Sequence, residues 1–192
     1  MSPQRYSAEQ GTKLQGKPAF ARTVWGLGLL ALLFSTGCKK ADPISDSTPA
    51  PNQPYLNQAQ AKLPTLKLWL GAKELIAEVA RTSAQVATGM MFRKDIAENE
   101  GMIFVFPRPH RTSFYMRNTT VPLSCAYIDS EGVILEIHPL MPLDETPVEA
   151  DSDRVQYVLE TKQGWFERNQ VGIGAVIRTE RGSFSETFFP RQ

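Results

Sequence analysis

Apolar residues recur at every second position through most of the chain after residue 65, and short polar or glycine-containing stretches separate the runs. Leu66, Leu68 and Leu70 begin this pattern, which is typical of a β-strand with one buried face. Gly71-Ala72 then predicts a turn, and residues 75–79 predict the returning arm. The domain is therefore expected to open with a β-hairpin.

Further strands are predicted downstream by the same alternation, at residues 102–106, 113–117, 124–128, 133–137, 154–160 and 175–179. Pro107 and Pro109 are expected to close the first of them, because proline cannot donate to a sheet ladder. Residues 129–132 have the composition of a turn between two of the others.

Helical signals are few. Thr82-Ser83-Ala84-Gln85 has the form of a capping box, which predicts a short helix over residues 83–88 that stops at Gly89. Residues 164–169 predict one further helical turn or two. Many short strands with few and brief helices predict a mainly β domain, an antiparallel sandwich or barrel-like fold with one or two short helices.

The N-terminal region has a different pattern. An uncharged, mostly apolar run occupies Val24–Phe34, and the basic residues Lys17 and Arg22 precede it. A membrane-spanning helix needs about 20 apolar residues, so this shorter run predicts a secretory signal segment over residues 1–37. Small residues at 35–37 lead directly to Cys38, an arrangement that resembles the lipobox of bacterial lipoproteins.

The lipobox resemblance implies that Cys38 carries a diacylglycerol and anchors the protein to a membrane of the cell envelope, facing the periplasm or the cell exterior. Ser35 stands where the lipobox usually has leucine, and the basic leader is long. Ordinary cleavage near Gly37 and an uncleaved anchor are the alternatives. With Cys38 lipidated, Cys125 has no partner within the chain, so the domain would contain no disulfide.

Residues 38–64 predict a flexible, lipid-anchored linker. Five prolines lie there among Ser, Asn, Gln and Ala, and this composition buries too little apolar surface to offset the entropy cost of folding. An extended spacer is expected, followed by one domain over residues 65–192.

The charge balance excludes one class of function. The net charge of +1 combines a leader with four basic residues and one acidic residue and a remainder with 17 basic and 19 acidic residues. The remainder therefore has a net charge of −2. Nucleic-acid-binding domains are usually strongly basic, so a nucleic-acid partner is not expected.

Four segments of the predicted domain together match a family pattern. They are GMMFR at Gly89–Arg93, EGMIFVF at Glu100–Phe106, SFYMRNT at Ser113–Thr119, and VLE within Tyr157–Gly164. Over about residues 66–178 the chain resembles the domain of unknown function 192 family of bacteria and archaea. The resemblance implies a compact, mainly β fold and brings no established activity. Ser124 and Ala175 stand where the family usually has aspartate, so this chain would lack any site built on those two carboxylates.

Soft and nucleophilic side chains are interpreted as core residues. Five of the six methionines lie between residues 90 and 141, among phenylalanines, which favours adaptable packing over a copper site with His110 and His138. Cys125 lies within an apolar strand pattern and is expected to be buried rather than to act as a nucleophile with either histidine as base. No metal or cofactor is predicted.

Four polar residues directly follow apolar strands or turns and are expected to meet at one rim of the sheet: Arg93, Arg117, Asn118 and Thr119. An arginine fork suits a carboxylate or phosphate, and an asparagine amide both donates and accepts, as a sugar hydroxyl requires. These residues form the candidate binding site for a saccharide or small acidic ligand. Alternatively, either arginine pairs internally with Glu160 or Glu100, and Asn118 caps a tight turn. If it does not pair with either arginine, Glu160 is expected to be solvated at a strand end.

The sequence thus predicts an envelope-tethered domain that binds a small polar or saccharide ligand. It shows no exposed nucleophile–base pair or phosphate loop, so catalysis is not favoured. A structural or protein-interaction role in the envelope is the alternative and predicts an exposed apolar patch. A hydrolase using carboxylates such as Asp129 or Glu160 is the second alternative and needs two carboxylates roughly 5–10 Å apart in one cleft.

Overall fold

The computed structural model describes residues 53–190. The predicted signal segment, Cys38 and the first part of the predicted linker lie outside the described residues. Within residues 53–190, no helix combines the length and the apolar character that crossing a membrane requires.

The described residues form nine strands and three short helices. The strands are β1 Thr65–Leu70, β2 Lys73–Ala80, β3 Glu100–His110, β4 Ser113–Phe114, β5 Leu123–Ile128, β6 Ile134–Leu140, β7 Val148–Glu149, β8 Val155–Lys162 and β9 Ile177–Thr179. The helices are α1 Ser83–Thr88, α2 Trp165–Arg168 and α3 Phe184–Phe188. The mainly β prediction is confirmed, with three short helices where one or two were expected.

Seven strands form one sheet in the order β6-β5-β8-β3-β2-β1-β9, and β4 pairs with β7 in a separate two-stranded ribbon. Neighbouring strands of the large sheet run antiparallel except β2 and β3, which are parallel and are connected through α1. The last long strand, β8, lies inside the sheet between β5 and β3.

The large sheet curls into a half-barrel, because backbone groups at its two opposite edges bond to each other. The Ile134 N–H donates to the Ala175 carbonyl at 2.9 Å, and the Gly174 N–H donates to the Ile134 carbonyl at 2.8 Å. Val133 and Val176 form an antiparallel bridge beside these bonds. The barrel-like alternative among the sequence predictions therefore describes the fold, and a two-sheet sandwich does not.

Both faces of the inner strands of the curled sheet are covered. On one face, Trp165 of α2 and Phe184 of α3 belong to the core cluster. On the other face, Met90 from the segment after α1 and Phe114 of β4 cover the sheet. Every residue of β5, and all of β8 except Lys162, is buried, as expected for strands covered on both sides.

Helix α1 confirms the predicted capping box. The Thr82 hydroxyl accepts a hydrogen bond from the Gln85 N–H at 3.2 Å, and the Gln85 side chain accepts one from the Thr82 N–H at 3.1 Å. The helix ends at Gly89, whose φ of +48° lies in the region that favours glycine. This end of the helix becomes one wall of the cavity described below.

Two predicted strand boundaries are wrong. Strand β3 continues through Pro107 and Pro109 to His110, because its pairing with β8 is irregular between Val105 and His110 and needs no proline N–H there. The predicted strand 113–117 is cut to two residues, Ser113–Phe114, since the chain then leaves the ribbon.

The last part of the predicted linker packs against the domain. The Leu56 N–H donates to the Thr88 hydroxyl at 3.0 Å, the Gln60 amide donates to the Gly89 carbonyl at 2.8 Å, and the Leu63 N–H donates to the Glu78 carboxylate at 2.7 Å. These three hydrogen bonds attach residues 56–63 to the domain.

Candidate functional site

A buried carboxyl group without a hydrogen-bond partner lies in the middle of the sheet. Glu160 of β8 lies opposite Met102 of β3 and Cys125 of β5 in the ladder, and it is only 4% exposed. Its Oε2 atom is buried and has no hydrogen-bond partner. Because burial penalises the charged form, it raises the pKa of Glu160 to about 8. Titratable groups with strongly shifted pKa values concentrate at functional sites.

Glu160 lines a cavity of about 170 Å³ between the end of α1, β3 and the start of the ribbon. Its other walls are largely aromatic and thioether side chains, namely Met90, Met91, Phe104, Phe106, Phe114 and Tyr115. Hydroxyl groups also line it, from Thr88, Thr112, Ser113 and Thr119. The cavity thus combines one acidic group and several hydroxyls with apolar walls, the usual composition of a small-molecule site.

Local structure holds the walls in place. Phe104 and Phe114 meet edge to face with ring centroids 4.9 Å apart. A Cβ added at Gly89 would lie 3.3 Å from the Phe104 ring, so the backbone after α1 approaches this ring closely. The buried Gln60 amide donates to the Gly89 carbonyl and contacts the Met102 sulfur. The cavity is therefore built by the fold and does not depend on flexible surface side chains.

Cys125 faces the same layer as Glu160 and is fully buried, as predicted. Burial, and secondarily the nearby Glu160 carboxyl, raises the pKa of Cys125 to about 12. A thiol in this state is neutral near neutral pH and is a poor nucleophile. His138, one of its two suggested bases, bonds instead to the Glu136 carboxylate at 2.9 Å.

The four predicted binding residues do not form one cluster at the cavity, where only Thr119 is a lining residue. Arg93 pairs with Glu78 at 2.9 Å, with the two side chains 15% and 13% exposed. Arg117 pairs with Glu145 at 2.6 Å, with side chains 40% and 53% exposed. Each arginine is thus in an internal ion pair, with a different carboxylate from those suggested by the sequence.

Asn118 and Thr119 shape the turn next to the cavity. Asn118 has a φ of +54°, and its carbonyl accepts a hydrogen bond from the Phe92 N–H at 2.8 Å. The Thr119 hydroxyl donates to the Arg117 carbonyl at 3.1 Å. The expectation that Asn118 occupies a tight turn is consistent with this conformation, and the turn brings Thr119 to the cavity.

Four of the five clustered methionines, Met90, Met91, Met102 and Met116, are buried as expected. Met141 is 57% exposed, so the core prediction is wrong for that residue. Within the described part of the chain, no group of three or more His, Cys, Asp or Glu side chains is arranged to hold a metal ion.

Sequence reasoning missed Glu160 as the central polar group and expected it to be solvated. Asp129, named beside it as a hydrolase carboxylate, is used in a turn, where it accepts bonds from the Glu131 and Val133 N–H groups at 3.0 Å each. Among the described residues that line the Glu160 cavity, there is no second carboxylate.

The fold and the cavity define a mainly β, half-barrel domain with a buried acidic group in one of its apolar layers. The chain belongs to the DUF192 family, whose model carries the description "uncharacterized ACR" and matches residues 68–179. This confirms the family resemblance drawn from the sequence segments, and the matched range includes every residue that lines the cavity.

Two solved structures are similar to the chain. A candidate transcription regulator from Sinorhizobium meliloti 1021 is 28% identical, with a TM-score of 0.60 over 63% of this chain and 98% of that chain. A protein of unknown function from Novosphingobium aromaticivorans DSM 12444 is 32% identical, with a TM-score of 0.54 over 59% of this chain and 83% of that chain. No curated protein matches the chain.

Proposed function

We propose that this domain binds a small polar ligand in the Glu160 cavity. The observation that carries the proposal is the Oε2 atom of Glu160, which is buried and unpartnered and belongs to a side chain that lines the cavity. Leaving such a group without a partner costs about 1–3 kcal/mol or more, so Oε2 needs a hydrogen-bond partner, which the proposal assigns to the ligand.

The cavity is a better candidate than the rim of arginines proposed from the sequence. Arg93 and Arg117 are already engaged by carboxylates of the same chain, so a ligand would have to compete with those partners. Thr119, by contrast, belongs to both the predicted residues and the cavity. Binding, rather than hydrolysis by a carboxylate pair, also suits a cavity with a single acidic group among its described residues.

Filling the cavity is expected to abolish binding. Ala87 lies on α1 and lines the cavity, so Ala87→Phe would occupy its space. Saturation-transfer NMR on the full chain in detergent would test glucose, N-acetylglucosamine, acetate, butylamine and 1-butanol. We expect at least one of these to bind the wild type and to lose its signal with Ala87→Phe.

Ala84→Phe is the matched control, because Ala84 is also half-buried on α1 but is not among the residues that line the cavity. This variant should bind as the wild type does. If no compound binds the wild type, or if Ala87→Phe leaves every signal unchanged, the proposed binding site is wrong.

The N-terminal region supports a second part of the proposal, that the domain is held at the cell envelope by lipid on Cys38. The support is the basic residues, the short apolar run and the small residues that lead to Cys38. A lipid anchor followed by a proline-rich spacer would leave the cavity free to meet ligands outside the cytoplasm.

Replacing Cys38 is expected to remove the lipid. In bacterial cells that express the full chain, radiolabelled palmitate should enter the wild type and the Cys125→Ala variant, and should be absent from Cys38→Ala. Cys125→Ala is the control because that thiol is buried in the domain. Label that survives Cys38→Ala would contradict lipid attachment at this residue.

A further inference from the structure

We propose, resting on the binding function above, that the ligand of the Glu160 cavity presents a small organic ammonium group, which pairs with the Glu160 carboxylate and lies against aromatic walls. The proposal assigns a chemical class of ligand to the site. It rests on the unpaired acidic group inside the cavity, on the chemistry of its walls and on the hydroxyl groups beside the acid.

The cavity contains an acidic group and no basic group to match it. Among the described residues that line it, none is Lys, Arg or His, and Glu160 is the only carboxylate. A buried carboxylate is strongly disfavoured until a cation joins it. A ligand that carries a positive charge would supply the partner that this chain does not.

The groups that face Glu160 from neighbouring elements leave its charge uncompensated. Met102 lies opposite on β3 and has no charge, and Gln60 contacts that methionine with a neutral amide. On β5, Cys125 lies opposite, and burial raises its pKa to about 12. Tyr127, next on the same face of β5, has a raised pKa because of burial and donates its hydroxyl hydrogen to the Val148 carbonyl. Both acids are therefore neutral near pH 8.

The cavity walls suit an organic cation better than a metal ion. Phe104, Phe106 and Phe114 line the cavity, and the faces of aromatic rings attract ammonium groups. Tyr115 also lines it, but the Arg117 guanidinium already lies over that ring, 5.5 Å from its centroid. Calcium and magnesium need about six or more oxygen ligands in a defined shell, which aromatic and thioether walls do not provide. The walls also shelter the alkyl part of an amine from water.

Hydroxyl groups can complete the coordination of an ammonium N–H. Thr119 donates its own hydrogen to the Arg117 carbonyl, so the lone pairs on its oxygen remain oriented as acceptors. Thr88 and Ser113 add further oxygen atoms to the same cavity. An alkylammonium would thus meet one carboxylate, hydroxyl oxygens and ring faces together.

Ammonium binding would be linked to release of one proton. Glu160 has a raised pKa in the empty cavity and holds its proton near neutral pH. Pairing with a cation requires the ionised form, so the proton leaves to the buffer as the amine binds. Affinity should therefore rise about tenfold per pH unit below pH 8 and level off above it. A neutral ligand would show no such release.

Isothermal titration of the full chain with n-butylammonium chloride, from pH 6 to pH 9 and in two buffers of different ionisation enthalpy, tests this inference. We expect the affinity for butylammonium to rise about tenfold per pH unit up to pH 8, and binding near pH 6 to release about one proton. The neutral analogue 1-butanol, of similar size, should bind at least tenfold more weakly at pH 8. Phe114→Leu, which keeps an apolar wall without the ring face, should weaken butylammonium binding about fivefold.

Glu160→Gln should abolish the pH dependence and most of the affinity, whereas Glu180→Gln, at an exposed position, should leave both unchanged. Far-ultraviolet circular dichroism of each variant checks that the fold persists. Equal binding of 1-butanol and butylammonium, absence of proton release, or unchanged affinity in Glu160→Gln would overturn the inference. A neutral compound that binds more tightly than butylammonium at pH 8, and whose binding is lost in Ala87→Phe, would overturn it while leaving the proposed function intact. No binding by any compound would overturn both.

Discussion

Glu160→Gln is expected to make the protein progressively more stable than the wild type as the pH rises from 4.5 to 8. In the folded protein the pKa of Glu160 is raised to about 8, whereas in the unfolded chain it is near 4.5. Between these values the unfolded state has released the proton and the folded state still holds it. The contribution of Glu160 to stability is therefore fully present below pH 4.5 and is lost as the pH rises through 8.

The size of the effect follows from the difference between the two pKa values. Each unit corresponds to about 1.4 kcal/mol, so the difference in unfolding free energy between variant and wild type should change by about 5 kcal/mol across this range. Glutamine does not ionise, so its own effect on the free energy of unfolding does not change with pH. Urea denaturation of both proteins at four or five pH values measures the difference directly.

Glu180→Gln serves as the matched control, because it makes the same chemical change at an exposed position. The difference in unfolding free energy between Glu180→Gln and the wild type should stay nearly constant from pH 4.5 to 8. If the Glu160→Gln and wild-type curves run parallel, Glu160 ionises normally in the fold, and the description of an unpaired, buried acid is wrong.

Arg93→Met is expected to destabilise the protein far more than Arg117→Met, although both changes remove an arginine from an ion pair. The Arg93–Glu78 pair is largely buried, and the same Glu78 oxygen also accepts a bond from the Leu63 N–H. Removing one partner of a buried pair leaves an uncompensated charge, so we expect a loss of about 3 kcal/mol. The Arg117–Glu145 pair is exposed, so its loss should change stability little.

The double variant Arg93→Met with Glu78→Met distinguishes an uncompensated charge from lost packing. Removing both charges should recover much of the stability lost in the single variant, because no buried carboxylate is then left alone. Chemical denaturation at pH 7 measures all four proteins. Equal losses in Arg93→Met and Arg117→Met, or no recovery in the double variant, would show that burial does not distinguish the two pairs.

Elements with local signals were predicted closely from the sequence. The hairpin of β1 and β2 and the boundaries of α1 depend on turn residues and on a capping box within a few positions of one another. Such interactions form between neighbours in the chain and are therefore readable without the fold. Helix α3 has the same kind of local signal, because Ser183 and Glu186 form a capping box, and it is the third helix beyond the one or two expected.

Long-range pairing was not predictable in the same way. The position of β8 between β5 and β3, and the bonds by which Ile134 joins the two sheet edges, connect segments far apart in the sequence. The pattern of residues 154–160 indicates a strand but carries no information on which strands lie beside it. The choice between sandwich and half-barrel depended on that pairing.

In the candidate site, too, the residue with a local signal was predicted and the residue that depends on long-range packing was not. Thr119 was identified because it follows an apolar segment and a turn, both local features. Glu160 was expected to be solvated, because it lies at the end of the predicted strand 154–160. In the structure, the segment after α1 and the β4 ribbon cover the face on which Glu160 lies.

The sequence by itself determined the family, the mainly β class, the first hairpin and helix α1, and the separation of a short N-terminal apolar run from the domain. Only the tertiary structure decided that Glu160 is a buried acid in a cavity and that Arg93 and Arg117 have partners within the chain. The physical reason is that alternation identifies which residues share a face of a strand. What covers that face, and hence whether a carboxyl group there keeps its water, depends on segments distant in the chain.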